Sequence, residues 1–189
     1  MVKEKIVVIA PFFPYRGGIA HFNDCLASSL EKKYDVTKIS WKKRYPDFLY
    51  PGNSQFDEDK KHLLYDKNVF LLKYYNPFSW ISAFFKIKSN CANKLLMNWV
   101  TPFLAPQLFV IACLTNWFTS TEVILLCHNV KPHEQSSFDK ILSKMVFSQI
   151  DKFIVHAIKE KEQLQKIIPE AQITVGFHPD YTFFKENRS

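Results

Sequence analysis

The sequence predicts a doubly wound α/β domain, with a mainly parallel sheet and helices on both faces. Short apolar runs rich in β-branched residues, such as 6–10 (IVVIA) and 123–127 (VILLC), suit strands covered on both sides. Segments with helical apolar spacing alternate with them along the chain. Parallel strands need connections of at least a helix's length, and the alternation supplies them.

The elements follow in order. The first strand, 6–10, is closed by Pro11. A helix then carries Ile19, Phe22, Leu26 and Leu30 on one face, with Lys32 and Lys33 expected in its last turn. Residues 35–41 alternate apolar and polar side chains, as in a strand nearer the sheet edge. Residues 42–67 are polar, hold Pro46, Pro51 and Gly52, and read as an excursion with some helix. A strand is expected at 69–73, and Asn76-Pro77 supplies a cap and first-turn proline for the next helix. Strand 95–100, helix 103–116 and strand 123–127 come next. Phe138, Ile141, Leu142, Met145 and Val146 match one helix face after Ser136. Strand 153–155, a Lys/Glu-rich helix near 160–166 and strand 173–177 complete the alternation.

The 189 residues suffice for one domain with a substantial core. With 47% hydrophobic and 23% charged residues, disordered, collagen-like and coiled-coil readings are excluded. A net charge of +7 favours an anionic partner, but charge alone does not choose among phosphate, nucleotide, acidic lipid and nucleic acid. Cys25, Cys91, Cys113 and Cys127 lack C-x-x-C spacing, so a reducing, cytoplasmic setting is expected. The start of the chain lacks a signal-peptide core, and the apolar stretch 103–114 is too short to span a bilayer.

Parallel α/β sheets bind ligands beyond the carboxyl ends of their strands. Two of the chain's four glycines, Gly17 and Gly18, stand together after the first strand, at the start of a helix. Glycines there let the backbone approach a ligand, while the helix N-terminus presents free amides and partial positive charge. A phosphate or diphosphate suits this bend, with Arg16 as a clamp; a tight turn and nothing more is the plain alternative. The G-x-G-x-x-G dinucleotide fingerprint is missing. His21 lies one turn into the helix, facing either the cleft or solvent.

His128 and Asn129 end the central strand and offer donors and acceptors to a sugar hydroxyl. His133 and Glu134 follow, either touching substrate or bracing the loop. Their spacing does not match a zinc-protease helix, so no metal is expected. His178 ends the last strand and reads as a boundary.

Six ordered blocks carry a family resemblance: 6–22 (IVVIAPFFPYRGGIAHF), 76–83 (NPFSWISA), 99–106 (WVTPFLAP), 126–134 (LCHNVKPHE), 153–156 (FIVH) and 178–183 (HPDYTF). Together they resemble the amino-terminal half of retaining glycosyltransferases of family 4. The resemblance implies a GT-B architecture, two Rossmann-like domains across a cleft, with the acceptor held mainly by the first and the nucleotide-sugar donor mainly by the second. It implies that residues 1–184 are the acceptor-side domain and 185–189 a tail or the start of an interdomain linker, the donor-binding domain being absent.

By position, Gly17 and Gly18 match the loop that approaches the donor diphosphate; Arg16, His21 and Asn129 join them as donor-side candidates on the residue reading above, not through the resemblance. His128 matches the residue that contacts the donor sugar and supports the transition state; His133 and Glu134 stay substrate-side candidates on the residue reading alone. The implied chemistry keeps the anomeric configuration, needs no metal or other cofactor, and uses a nucleotide-diphosphate sugar as donor substrate. Without the second half, activity of this chain alone is expected to be weak or nil. The expected partners are a glycan, glycolipid or polysaccharide acceptor and the missing domain, in cis or in trans.

Trp80, Phe84, Phe85, Lys86 and Lys88 read either as core or as an amphipathic face for peripheral contact with the inner membrane surface. Two other classes stay in view. The run Trp41-Lys42-Lys43-Arg44-Tyr45 interleaves basic and aromatic residues as single-strand nucleic-acid binders do, and a non-catalytic ligand-binding domain can share the fold.

Overall fold

The computed structural model describes residues 3–46, 54–57, 69–129 and 137–176. Its elements are β1 (Lys5–Ile9), α1 (Gly18–Glu31), β2 (Asp35–Lys43), β3 (Phe70–Lys73), α2 (Pro77–Ser89), β4 (Lys94–Trp99), α3 (Ala105–Phe118), β5 (Glu122–Cys127), α4 (Ser137–Phe147), β6 (Lys152–Val155), α5 (Ile158–Gln165) and β7 (Gln172–Val175), with a 3₁₀ turn at Pro102–Leu104 before α3. The strands form one sheet in the order β3-β2-β1-β4-β5-β6-β7, and every pairing is parallel. This is the Rossmann-like α/β architecture that the sequence predicts.

The chain winds outward from β1 to β3, then crosses back to lay β4 on the other side of β1. The β1/β4 border is therefore the point where the winding reverses and loops diverge, which opens a crevice for a ligand. Residues 6–9 are almost fully buried, as a strand sealed on both faces requires. Val7 and Ile9 join Leu95, Met97 and Leu125 under α2 to α5, contributed by Ala83, Ile87, Leu108, Ile111, Val146, Phe147 and Leu164. Ile6 and Val8 face the other way and pack with Phe22 and Ala27 of α1. The helices thus lie on both faces, unequally.

Local chemistry sets the boundaries. Asn76 accepts from the amide of Phe78 at 3.0 Å, and Pro77 opens α2, as expected. Helix α1 stops at Glu31, so Lys32 and Lys33 stand just past its end instead of in the last turn. Pro102 first opens the 3₁₀ turn and Pro106 sits in the first turn of α3, so the helix starts two residues later than 103. No described helix is long and apolar enough to cross a membrane.

Three expectations about faces change. In α4, Val146 is buried and Leu142 partly so, but Phe138, Ile141 and Met145 are exposed. The helix turns Ser143, Val146 and Phe147 inward, so its apolar stripe is wider than the contact that α3 offers. Trp41 is wholly buried, its indole N–H donating to Oε1 of Gln107 at 2.6 Å, and Arg44 is buried beside it. The 41–45 run is therefore no exposed stacking platform. In α2, Phe84 is buried and Trp80 donates to the Lys73 carbonyl at 2.9 Å, whereas Phe85 is exposed together with Phe78 and Ile81. Trp117 and Phe118 of α3 extend this patch, with the Lys88 ammonium 5.9 Å from the Phe118 ring.

Candidate functional site

The loop between β1 and α1 is held by hydrogen bonds to α1 and β2. The Asn23 side-chain amide donates to the Pro11 carbonyl at 3.1 Å, and the Phe13 amide donates to Asp24 at 3.1 Å. Tyr15 is buried and its hydroxyl donates to the Trp41 carbonyl at 3.0 Å. From outside, the Arg16 amide donates to the Gln55 carbonyl at 2.9 Å, and Asp57 returns a bond to Pro14 at 2.8 Å. The Phe13–Pro14 peptide is cis. With its base tied down, the loop turns at Gly17, whose φ of +111° and ψ of 164° favour glycine.

The bend is open. A Cβ added to Gly17 or Gly18 would meet nothing within 4 Å among the described residues. Helix α1 starts here with no side-chain cap and no acidic residue in its first turn, so its amides and dipole are left for an external anion. Arg16 is exposed at the rim.

The bend forms one wall of a cleft of about 610 Å³. Arg44 and Tyr45, just after β2, form the second wall, and Thr101 and Phe103, just after β4, the third. The Tyr45 and Phe103 rings are 5.7 Å apart. Arg44 is only 7% exposed; its Nε and Nη2 are buried and make no hydrogen bond among the described residues. The guanidinium carbon lies 5.3 Å from the Trp41 ring and 5.0 Å from the Tyr45 ring. Burial pulls its pKa down, and burial likewise pushes the Tyr15 and Tyr45 phenols up. Both tyrosines are therefore neutral hydrogen-bonding groups near neutral pH.

The other predicted residues lie apart from this cleft. His128 follows β5, and its amide donates to the Trp99 carbonyl at 3.1 Å. Its half-buried imidazole meets the Phe22 ring edge-on at 5.2 Å and the His156 ring at 5.0 Å. Phe22 belongs to α1, so His128 packs against the helix that the glycine bend opens, and it does not itself line the cleft. Asn129 is exposed beside it. His21 is exposed on α1, its amide 3.4 Å from the Gly17 carbonyl. His133, Glu134 and His178 lie outside the described residues.

The sequence reading missed Arg44 as part of the cleft, although its place immediately after β2 was a usable signal. It also missed His156, which follows β6 as His128 follows β5. Among the described residues no three His, Cys, Asp or Glu side chains gather to hold a metal ion. The cysteines are free; Cys113 and Cys127 are buried, and burial raises the Cys127 thiol far above its usual range.

No family model and no curated protein sequence matches the chain. Solved structures do match it. Sucrose-phosphate synthase from Thermosynechococcus elongatus aligns at 10% identity with a TM-score of 0.51, over 94% of this chain and 89% of that one. UDP-N-acetylglucosamine 2-epimerase from Rickettsia bellii aligns at 12% identity with a TM-score of 0.59, over 99% of this chain and 49% of that one. The chain thus spans about half the length of the epimerase. Fold and neighbours together define the class: a Rossmann-like α/β domain with an all-parallel seven-stranded sheet, of the fold that these two structures share.

Proposed function

We propose that residues 1–184 are the acceptor-side domain of a retaining glycosyltransferase of family 4, which moves a sugar from a nucleotide-diphosphate sugar to a glycan, glycolipid or polysaccharide. One observation carries this reading: among the described residues the glycine bend at the start of α1 is empty of side chains, and it opens on a cleft at the carboxyl edge of the sheet. Free amides there suit a diphosphate, and charge building on the leaving diphosphate is stabilised by donors fixed in advance. Arg16 adds a cation at the rim. The carbohydrate-related names of both structural neighbours favour a nucleotide sugar over other diphosphates.

In this reading His128 and Asn129 meet the donor sugar, His21 lies near the donor phosphates, and His133 and Glu134 serve the acceptor. No metal or other cofactor takes part. A second Rossmann-like domain, in cis or in trans, supplies the remaining donor contacts, so residues 1–184 by themselves transfer little or no sugar. The site is cytoplasmic, and the Phe78, Ile81, Phe85, Trp117, Phe118 and Lys88 patch rests on the inner membrane surface, where its aromatic rings and ammonium group suit anionic lipid.

The test is binding of a panel of nucleoside diphosphates and the matching nucleosides to the parent and to Gly18→Val. The diphosphates bind the parent, the nucleosides bind it at least about tenfold more weakly, and Gly18→Val removes the difference. Equal binding of diphosphate and nucleoside to the parent contradicts the reading.

A further inference from the structure

Arg44 is the one cleft-lining residue that is charged, buried and without a hydrogen-bond partner at two of its nitrogens among the described residues. A buried cation is costly unless an anion or strong acceptors answer it. Beside it lie the faces of the Trp41 and Tyr45 rings, which hold the guanidinium plane but leave Nε and Nη2 without an acceptor among the described residues. The neutral Tyr15 and Tyr45 phenols supply no anion either. The group is positioned, and at Nε and Nη2 its hydrogen-bonding capacity is unspent among the described residues.

Its place in the sheet separates it from the donor machinery. Arg44 follows β2, on one side of β1; His128 follows β5, two strands away on the other side. Three strand spacings amount to about 14 Å between those strand ends. The glycine bend follows β1 and lies between them. A diphosphate seated on the bend with its sugar toward His128 leaves the Arg44 wall to the acceptor.

We propose that the acceptor carries an oxyanion, a phosphate or a carboxylate, and that the Arg44 guanidinium binds it from the cleft that this residue lines. The guanidinium fork matches two oxygens of either group. An anionic acceptor entering a cleft that already holds a diphosphate is repelled unless it has its own cation, and Arg44 provides one. The Tyr45 and Phe103 rings beside it form an apolar wall for the body of the acceptor. This inference rests on the donor reading only for the word acceptor; an oxyanion site at Arg44 stands without it.

The experiment follows the Arg44 side-chain Nε–H and the Gly17 and Gly18 amides by NMR in the 189-residue chain. Glucose 6-phosphate and glucuronate are titrated separately, with glucose as neutral control, in the absence and presence of saturating UDP or another bound nucleoside diphosphate. The phosphate or the uronate shifts the Arg44 signal whether or not the nucleotide is present, and the stronger of the two names the acceptor's anion. Arg44→Gln weakens that binding about tenfold or more, while Arg44→Lys keeps part of it and leaves nucleotide binding unchanged. Undiminished oxyanion binding in Arg44→Gln overturns the proposal; so does displacement of the oxyanion by nucleotide together with loss of nucleotide binding in Arg44→Lys. If Arg44→Gln does not fold, Arg44→Lys and the nucleotide competition decide alone. Failure of every nucleotide to move the glycine amides defeats the donor reading and leaves the Arg44 result standing.

Discussion

The side-chain amide of Asn98, in β4, donates to Oδ1 of Asn23, in α1, at 2.6 Å, and Asn23 in turn donates to the Pro11 carbonyl at 3.1 Å. Both asparagines are fully buried. This chain of bonds ties the loop after β1 to the neighbouring strand, at the border where the winding reverses. It sets the height of the bend that leads to Gly17. Asn23→Ala leaves the Asn98 amide and the Pro11 carbonyl without this partner, which costs about 2–3 kcal/mol. Thermal unfolding should fall by roughly 5–10 °C for a domain of this size. A midpoint within a degree of the parent contradicts the role given to the pair.

The two glycines have different jobs, so their alanine variants should move stability in opposite directions. Gly17 has φ +111°, where an L-residue is strained, and Gly17→Ala costs about 1–2 kcal/mol. Gly18 begins α1 with open space at its Cβ position, and Gly18→Ala gains roughly 0.5–1 kcal/mol by restricting the unfolded chain. Urea unfolding of the two variants beside the parent checks the signs. Equal effects would mean that the bend does not have this geometry.

Asp24 gives a pH test of the same loop. Burial raises its pKa, against the Phe13 amide that donates to it. A folded-state pKa above the unfolded one penalises the folded state once the group is charged. That penalty is fully present above the folded value and vanishes as pH falls through it to the unfolded value near 4. Asp24→Asn keeps an acceptor for Phe13 and removes the charge, so it should be more stable than the parent at pH 7 and match it below about pH 4. Parallel stability curves across that range contradict the assignment.

Much of this architecture was legible because local signals and the tertiary fold agree. The sealed strand β1, the Asn76-Pro77 start of α2 and the glycine bend each depend on a few adjacent residues. The face of α4 was not legible, since periodicity marks Phe138 and Val146 alike while only Val146 has a neighbouring helix to bury it. Arg44 was misread for a related reason. Its sequence neighbours are basic and aromatic, but the twist of β2 puts Trp41 into the core and turns Arg44 into the cleft. The separation of His128 from the glycine bend likewise depends on strand order, which spacing along the chain does not encode.

The exposed aromatic patch on α2 and α3 carries the membrane part of the proposal. The parent chain should sediment with vesicles containing phosphatidylglycerol and less with neutral ones. Phe85→Ser and Lys88→Glu should each reduce that binding by about threefold or more without changing the melting temperature, because both side chains are exposed. Unchanged sedimentation of the double variant removes the membrane surface from the account.

The seat of the donor is tested most directly by a crystal structure of the chain soaked with the nucleoside diphosphate that binds best. Diphosphate oxygens are predicted within hydrogen-bonding distance, about 3 Å, of the amides that open α1, with the nucleotide leaving the Arg44 wall uncovered. A diphosphate found elsewhere on the domain, with those amides bonded only to solvent, would contradict the glycosyltransferase reading at its base.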